Sequence, residues 1–350
     1  MRVFTQQMSG EWNDIVRSFR SWDVYYLCEY AASLQLHGDG EPILLYFACG
    51  EERMCYVVMR KDIADDPRFN GLLPTGQLYD LETPYGYGGP LTDAPLSSRA
   101  QALFMDELRD YCVDNHIVTQ FLRFHPLLDN HDAVCPMVDT RYLRDTIFID
   151  TSAPELISSN MDSKNRNMVR KAQRSGVTVR EASMEEYDAF LELYRQTMGK
   201  HNADEYYTFD TRYFDYLRDN LGRHTFLMYA ELEGKPISAA IFFHTNDTMH
   251  YHLAGSDAAY RSLAAGNLLL YEAALWVAAH GIRKLHLGGG MSSEDSLFGF
   301  KKQFNKNGRR EFWVGRSIFD PASYEELLRL RKAGDPNFDT ENGFMIQYRR

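Results

Sequence analysis

Along this chain the spacing of apolar residues switches repeatedly between a period near 3.6 and a period of about 2, the pattern of alternating helices and strands. The second half reads most clearly. "GVTVREAS" alternates as a strand, and "MEEYDAFLELYRQTMGKH" and "TRYFDYLRDNL" carry helical spacing. Three strands follow: "TFLMYAELEG", "KPISAAIFFHT" and "TMHYHLAGSD". Turn sequences join them at Gly234–Lys235 and Asn246–Asp247. "GNLLLYEAALWVAAHG" predicts a buried helix stopped by Gly281. "IRKLHLGGG" then reads as a strand, "EDSLFGFKKQF" as a helix and "REFWVGRSIFD" as a strand. The predicted order is β, α, α, β, β, β, α, β, α, β.

The first half repeats that order. "SGEWNDIVRSFR" and "DVYYLCEYAAS" predict helices; "EPILLYFACG", "ERMCYVVMRKDI" and "GQLYDLETPY" predict strands. "SSRAQALFMDELRDYCVDN" and "IVTQFLRFHPL" add a helix and a strand. The stretch "ALFMDELRDYCVDNHIVTQFLRFHP" parallels "NLLLYEAALWVAAHGIRKLHLGGG" in length and apolar rhythm. A repeat of about 150 residues predicts an α/β chain of two similar domains, each a mixed sheet flanked by helices. We expect them over residues 1–150 and 151–333, with the boundary after "RDTIFID" and a tail, 334–350, returning as a closing strand.

Composition narrows the class. The 350 residues are 44% hydrophobic and 25% charged, enough for a large core, and the net charge of -11 argues against wholesale coating of nucleic acid. Five cysteines (Cys28, Cys49, Cys55, Cys112, Cys135) show no metal-ligand spacing and suit free thiols in a reducing cytosol. The N-terminus lacks the apolar core of a signal peptide, and no apolar run reaches membrane-spanning length.

Three segments carry a family resemblance. "SKNRNMVRKAQRSGVTV" is similar to the K-x-R-x-x-[IV]-R-K-A-x-x-x-G-[VI] segment that opens the second domain of the FemABX group. "MHYHLAGSDAAYRSLAAGNLLLYEA" is similar to the strand, loop and helix at the centre of that domain, and "DSLFGFKKQFN" to its F-K-x-x-F segment. The element order resembles the GNAT acyltransferase fold, and two copies in tandem resemble FemABX over nearly the whole chain. The resemblance implies two tandem GNAT-like domains that move an amino acid from aminoacyl-tRNA onto an amine, usually in a peptidoglycan precursor. Phe300 and Lys301 match the family pair whose lysine is implicated in catalysis or in binding the tRNA end. The implied partners are aminoacyl-tRNA and a nucleotide- or lipid-linked peptide acceptor, in the cytoplasm. No cofactor, metal or DNA is expected.

One segment departs from the pattern of acetyl-CoA enzymes, which carry Q/R-x-x-G-x-G/A before the central helix. Here the run is "RSLAAG": Arg261 and Gly266 are in place as candidate cofactor contacts, but Ala264 replaces the first glycine. A methyl group there crowds the approach of a pyrophosphate to the backbone N–H groups. An acyl-CoA-dependent N-acyltransferase is therefore the second reading, and a non-catalytic ligand-binding protein on the same fold the third.

The residue chemistry fits the first. Lys164, Arg166, Arg170, Lys171 and Arg174 form cationic rows on one predicted helix, suited to phosphate oxygens or to a solvated face. Gly288, Gly289 and Gly290 end a strand and leave backbone open to a ligand, with Lys301 reaching in to stabilise an oxyanion. Phe300, spaced four residues from Phe304, suits core packing or substrate contact. His250 and His252 share one face of a strand and Tyr251 the other. These suit buried polar groups, or a substrate contact at Tyr251 and proton transfer at His252. Asp257, Glu294 and Asp295 are rival bases. In the first domain Tyr85, Tyr87 and Arg123 are candidate acceptor contacts, and "HNADEYYTF" is a candidate loop over the second domain's cleft.

Overall fold

The computed structural model spans residues 1–350 and describes all but residues 135, 136, 201–204 and 246. The first elements in chain order are β1 (Arg2–Thr5), α1 (Ser9–Ser18), α2 (Cys28–Leu36), β2 (Glu41–Cys49), β3 (Glu52–Asp62), β4 (Tyr79–Glu82), β5 (Leu91–Thr92), α3 (Ser98–Asp114), β6 (Ile117–Arg123) and β7 (Asp139–Asp150). Next come α4 (Pro154–Asn160), α5 (Ser163–Arg174), β8 (Val177–Ala182), α6 (Tyr187–Lys200), α7 (Thr211–Leu221), β9 (Thr225–Leu232), β10 (Lys235–His244) and β11 (Thr248–Ser256). The chain ends with α8 (Ala265–Ala279), β12 (Lys284–Gly288), α9 (Ser296–Lys302), β13 (Arg309–Ile318) and α10 (Pro321–Gly334).

The chain forms two compact units, residues 1–143 with 312–350, and residues 144–311. In the first, β1, β2, β3 and β4 pair antiparallel in turn. After α3 crosses over, β6 lies parallel to β4, and β13 lies antiparallel to β6. The second unit follows the same plan. Strands β8 to β11 pair antiparallel, α8 crosses over, β12 lies parallel to β11, and β7 closes antiparallel to β12. The predicted mixed α/β architecture and its internal repeat are both present.

The unit borders differ from the predicted ones. Most of β7 belongs to the second unit, where Asp150 sits opposite Lys284. β13 was expected in the second domain, yet Val314 to Ile318 pair with Arg123 to Thr119 of the first. An alternating pattern identifies a strand but does not say which sheet receives it. The tail also differs. Residues 334–350 form no strand; Gln347–Arg349 make a 3-10 turn, and the buried Tyr348 ring packs on Phe69 and Tyr324. Helix α10 went unpredicted, although Tyr324, Leu327, Leu328 and Arg331 make its buried stripe at helical spacing. The predicted helix over Asp23–Ser33 breaks at Leu27, whose extended backbone ends one turn and begins α2.

Local chemistry accounts for the helices of the second unit. The Asp210 carboxylate accepts from Tyr213 N and starts α7, which buries Tyr213, Phe214, Leu217 and Leu221. α8 is apolar nearly all round and lies in the core with Ile147, Val169, Met228, Leu285, Phe298 and Phe304.

Candidate active site

Strands β11 and β12 pair only over Thr248–His250 and Lys284–His286. β11 then continues to Ser256 while β12 ends at Gly288, so the two strands part and leave a mouth. Two buried imidazoles stand where pairing stops. His250 and His286 meet Nδ1 to Nδ1 at 3.3 Å, and His286 Nε2 lies 3.0 Å from Thr146 Oγ1. The Thr146 hydroxyl donates to Arg310 O, so it accepts from His286 Nε2–H. His286 Nδ1 is then the acceptor and His250 Nδ1 the donor.

Lys301 spans the mouth. From the last turn of α9 its Nζ donates to Gly289 O at 2.7 Å and lies 5.7 Å from the Tyr251 ring centre. The residue is 8% exposed and meets no carboxylate at ion-pair distance among the described residues. Burial therefore pushes its ammonium down to about 8, against the opposing pull of the Asp295 charge. Burial also pushes the Tyr251 phenol upward. Lys302, one residue on, is half-buried and lies 4.0 Å from Glu294.

The three glycines shape the turn after β12. Gly288 turns the chain with φ +74. Gly290 is pressed on the Asp295 carboxylate; a Cβ there would stand 2.2 Å from Oδ1. Asp295 caps α9 through Phe298 N and also accepts from Met291 N and Ser292 N. It is a structural acceptor here, as are two other carboxylates named as rival bases. Asp257 accepts from Ala259 N, and Glu294 pairs with Arg309.

His252 sits elsewhere. A β-bulge leaves it as the extra residue of β11, and its Nε2 faces Tyr213 OH at 2.8 Å. Burial, with His250 nearby, lowers it to about 3, which makes it a neutral partner of Tyr213 in the α7 layer. Tyr251 faces the other layer, beside Phe242 and Lys301. Phe300 is half-buried, edge-on to Phe304, and acts as core packing.

The start of α8 makes a second feature. Ala264 is its N-cap, with φ +59 and no side-chain cap; Asn267 N turns back to Ala264 O, and no side chain caps the N–H groups of Ala265 and Gly266. The glycine pattern thus marks a left-handed position that alanine here occupies under strain. Gly266 has room around it, and Arg261 lies on the preceding turn. Sequence reading missed Asn165. It is 0% exposed, its Oδ1 accepts from Asn267 Nδ2 at 2.7 Å, and its own Nδ2 has no partner. The signal was its spacing, four and seven residues before Val169 and Ala172 on the buried face of α5.

The basic helix divides. Arg166 turns inward and donates to Ser158 O and Met161 O, closing the end of α4, so it is not a free phosphate ligand. Lys164, Arg170, Lys171 and Arg174 remain exposed. In the first unit Arg123 pairs with Glu82, donates to Thr83 O and lies over Phe121. Its guanidinium is committed to holding its own strands, not an acceptor. Tyr85 O receives Tyr30 OH, and the Tyr87 ring is wedged among Tyr25, His125 and Phe312. The loop read over the second domain's cleft begins at residues 201–204, outside the described residues; Asn246 of the predicted turn also lies outside them.

Residues 160–302 match the acetyltransferase (GNAT) domain. No curated protein matches the chain. Among solved structures, the chain is similar to FemX, with 14% identity and a TM-score of 0.65 over 93% of this chain and 99% of that one. It is also similar to the C-terminal domain of a putative lysylphosphatidylglycerol synthetase from Agrobacterium fabrum, with 13% identity and a TM-score of 0.55 over 91% and 92%. L-PGS from Bacillus licheniformis is similar at 11% identity, with a TM-score of 0.55 over 95% and 98%. The resemblance drawn from the motifs therefore holds at the level of fold. No helix among the described residues is long and apolar enough to cross a membrane.

Proposed function

We propose that this chain, which has a GNAT-like fold, is an acyltransferase that moves an amino acid from aminoacyl-tRNA to the amine of a peptidoglycan precursor or other peptide. The observation that carries the reading is Lys301: a buried ammonium that meets no carboxylate at ion-pair distance among the described residues, held between two parting strands. Burying such a charge destabilises a fold, and it is retained where an anion completes it. In aminoacyl transfer the acceptor nitrogen attacks the ester carbonyl, the carbonyl oxygen becomes an oxyanion, and the C–O bond to ribose breaks. Lys301 stabilises the negative charge at the oxyanion or at the departing ribose oxygen. The acceptor amine must reach the site neutral to attack. The exposed face of Lys164, Arg170, Lys171 and Arg174 suits tRNA phosphates. A nucleotide- or lipid-linked peptide is the acceptor that the resemblance of the motifs to the FemABX group implies.

The test is transfer of a radiolabelled amino acid from charged tRNA to a peptide amine. Binding of the charged tRNA should weaken steeply as salt rises. No tRNA binding at low salt, and no transfer, would remove this reading. A second reading, transfer from acyl-CoA, is favoured by the open start of α8 beside the unpartnered Asn165 amide. Tight binding of acetyl-CoA by calorimetry would put it first.

A further inference from the structure

Both ends of the contact that holds Lys301 hang from one carboxylate. Asp295 Oδ1 accepts from Phe298 N at 2.7 Å, fixing where α9 begins and hence where Lys301, six residues on in its last turn, emerges. Asp295 Oδ2 accepts from Met291 N at 2.6 Å and from Ser292 N at 2.9 Å, folding the turn back on itself. Gly290 has no side chain because the carboxylate fills that space. The carbonyl just before it, Gly289 O, is the one that receives Nζ. Arg144 grips the other side of the turn at Gly290 O and Met291 O.

We propose that Asp295 is a positioning residue for Lys301, its carboxylate folding the Gly288–Asp295 turn that presents Gly289 O to the ammonium. This rests on the reading of Lys301 as the group that meets the developing charge. Asp295 reaches Lys301 through the turn and through its field, and it touches no substrate atom. The other charged or titratable groups facing the site are Tyr251 from β11, Arg144 from β7, Arg309 from β13, and Glu294 and Lys302 beside Asp295 itself. Asp295 is the one among them whose charge raises the proton affinity of Lys301.

Asp295→Asn separates helix capping from positioning. Asparagine caps a helix as well as aspartate does, so Oδ1 keeps Phe298 N. The new amide donates where Met291 N and Ser292 N need an acceptor, so the turn is released and the charge is lost. We expect normal circular dichroism, a turnover about tenfold lower or more, and a donor KM within about threefold of the parent. Reductive 13C-methylation followed by NMR gives a readout independent of acyl transfer. The Lys301 resonance, identified by its loss in Lys301→Arg, should titrate at lower pH in Asp295→Asn. Gly290→Ala is the second variant: it pushes a methyl group into the carboxylate but keeps the charge, and should lower turnover similarly. An unchanged Lys301 titration together with unchanged turnover in both variants reduces Asp295 to a helix cap and overturns the proposal. A shifted titration in a protein that shows no aminoacyl transfer at all would support the positioning and sink the functional reading instead.

Discussion

The two units run the same strand plan, and they differ in what they leave unsatisfied. In the first, helix α3 starts on Ser97, whose hydroxyl accepts from Ala100 N; in the second, α8 starts on Ala264, which offers no such group. In the first, the cation beside the parallel strands is Arg123, paired with Glu82. In the second it is Lys301, which among the described residues pairs with no carboxylate. Asn130 of the first unit donates to Gly88 O and Pro90 O, whereas Asn165 of the second has an amide with no acceptor. A buried polar group without a partner destabilises a fold. At these three positions the first unit pairs what the second leaves open. The second keeps three open groups together in one domain, as a site awaiting a polar ligand would.

The largest effect expected from this contrast is at Lys301. Lys301→Met should lower turnover about a hundredfold, the usual loss when one electrostatic stabiliser is removed. It should also stabilise the protein at neutral pH, because an unpaired buried charge disappears. The sign follows from a folded value of about 8 against 10.5 for a free lysine. Below pH 8 the charge is present in both states and its full cost is felt. Between pH 8 and 10.5 the folded state loses its proton first, so the parent gains stability as pH rises and the advantage of the variant fades. Urea denaturation at pH 7 and pH 10 measures this. A variant less stable than the parent at pH 7 would make Lys301 a structural lysine and erase the contrast.

Arg123→Met tests the other side. It should destabilise by about 2 kcal/mol, less than for a fully buried pair, because Arg349 still meets Glu82. Burial pushes Glu82 up, but Arg123 and Arg349 outweigh it and hold the carboxyl at about 2, against 4.5 when free. Its contribution is therefore complete above pH 4.5 and is lost as pH falls toward 2. In the variant Glu82 rises, and acid unfolding should begin at higher pH. Turnover of the folded variant should change little; a hundredfold loss would mean that the first unit also carries chemistry.

Within the second unit, Arg166→Ala and Arg170→Ala should part company. Arg166 closes α4, and losing its charge-assisted contacts should cost about 1.5 kcal/mol or more in stability. Arg170 is exposed, and its loss should leave stability within about 0.5 kcal/mol while weakening tRNA binding and its salt dependence. The reverse result would restore the reading of both as phosphate ligands.

How much of this was legible beforehand differs by kind of claim. Helix α7 and the β9, β10, β11 meander were readable because each is set by neighbours in sequence: an Asp210 cap, an apolar stripe, turn residues. The F-K-x-x-F segment pointed to Lys301 through family resemblance. The strand exchange at β7 and β13 was not readable, since both carry the same alternation whichever sheet they join. Nor was the target of Arg166, which depends on where α4 ends in space. Lys164, Arg166 and Arg170 look alike in sequence; only packing separates the structural one from the exposed ones.

The smallest predicted effect is at Ala264, and it bears on the donor. With φ +59 this residue occupies the region where an L side chain crowds the backbone, a strain of about 1–2 kcal/mol. Glycine removes the strain but frees the unfolded chain, which returns up to about 1 kcal/mol. Ala264→Gly should therefore raise stability by no more than about 1 kcal/mol, a rise of a few degrees in Tm. A pyrophosphate approaching the start of α8 would also meet the crowding of this methyl group. If α8 is an anion site blocked only by that methyl, the variant should bind acetyl-CoA measurably better by calorimetry. If binding does not change while stability rises, the alanine is a conformational defect without bearing on the ligand. The open start of α8 would then cease to favour acyl-CoA, leaving Lys301 as the main support for aminoacyl transfer.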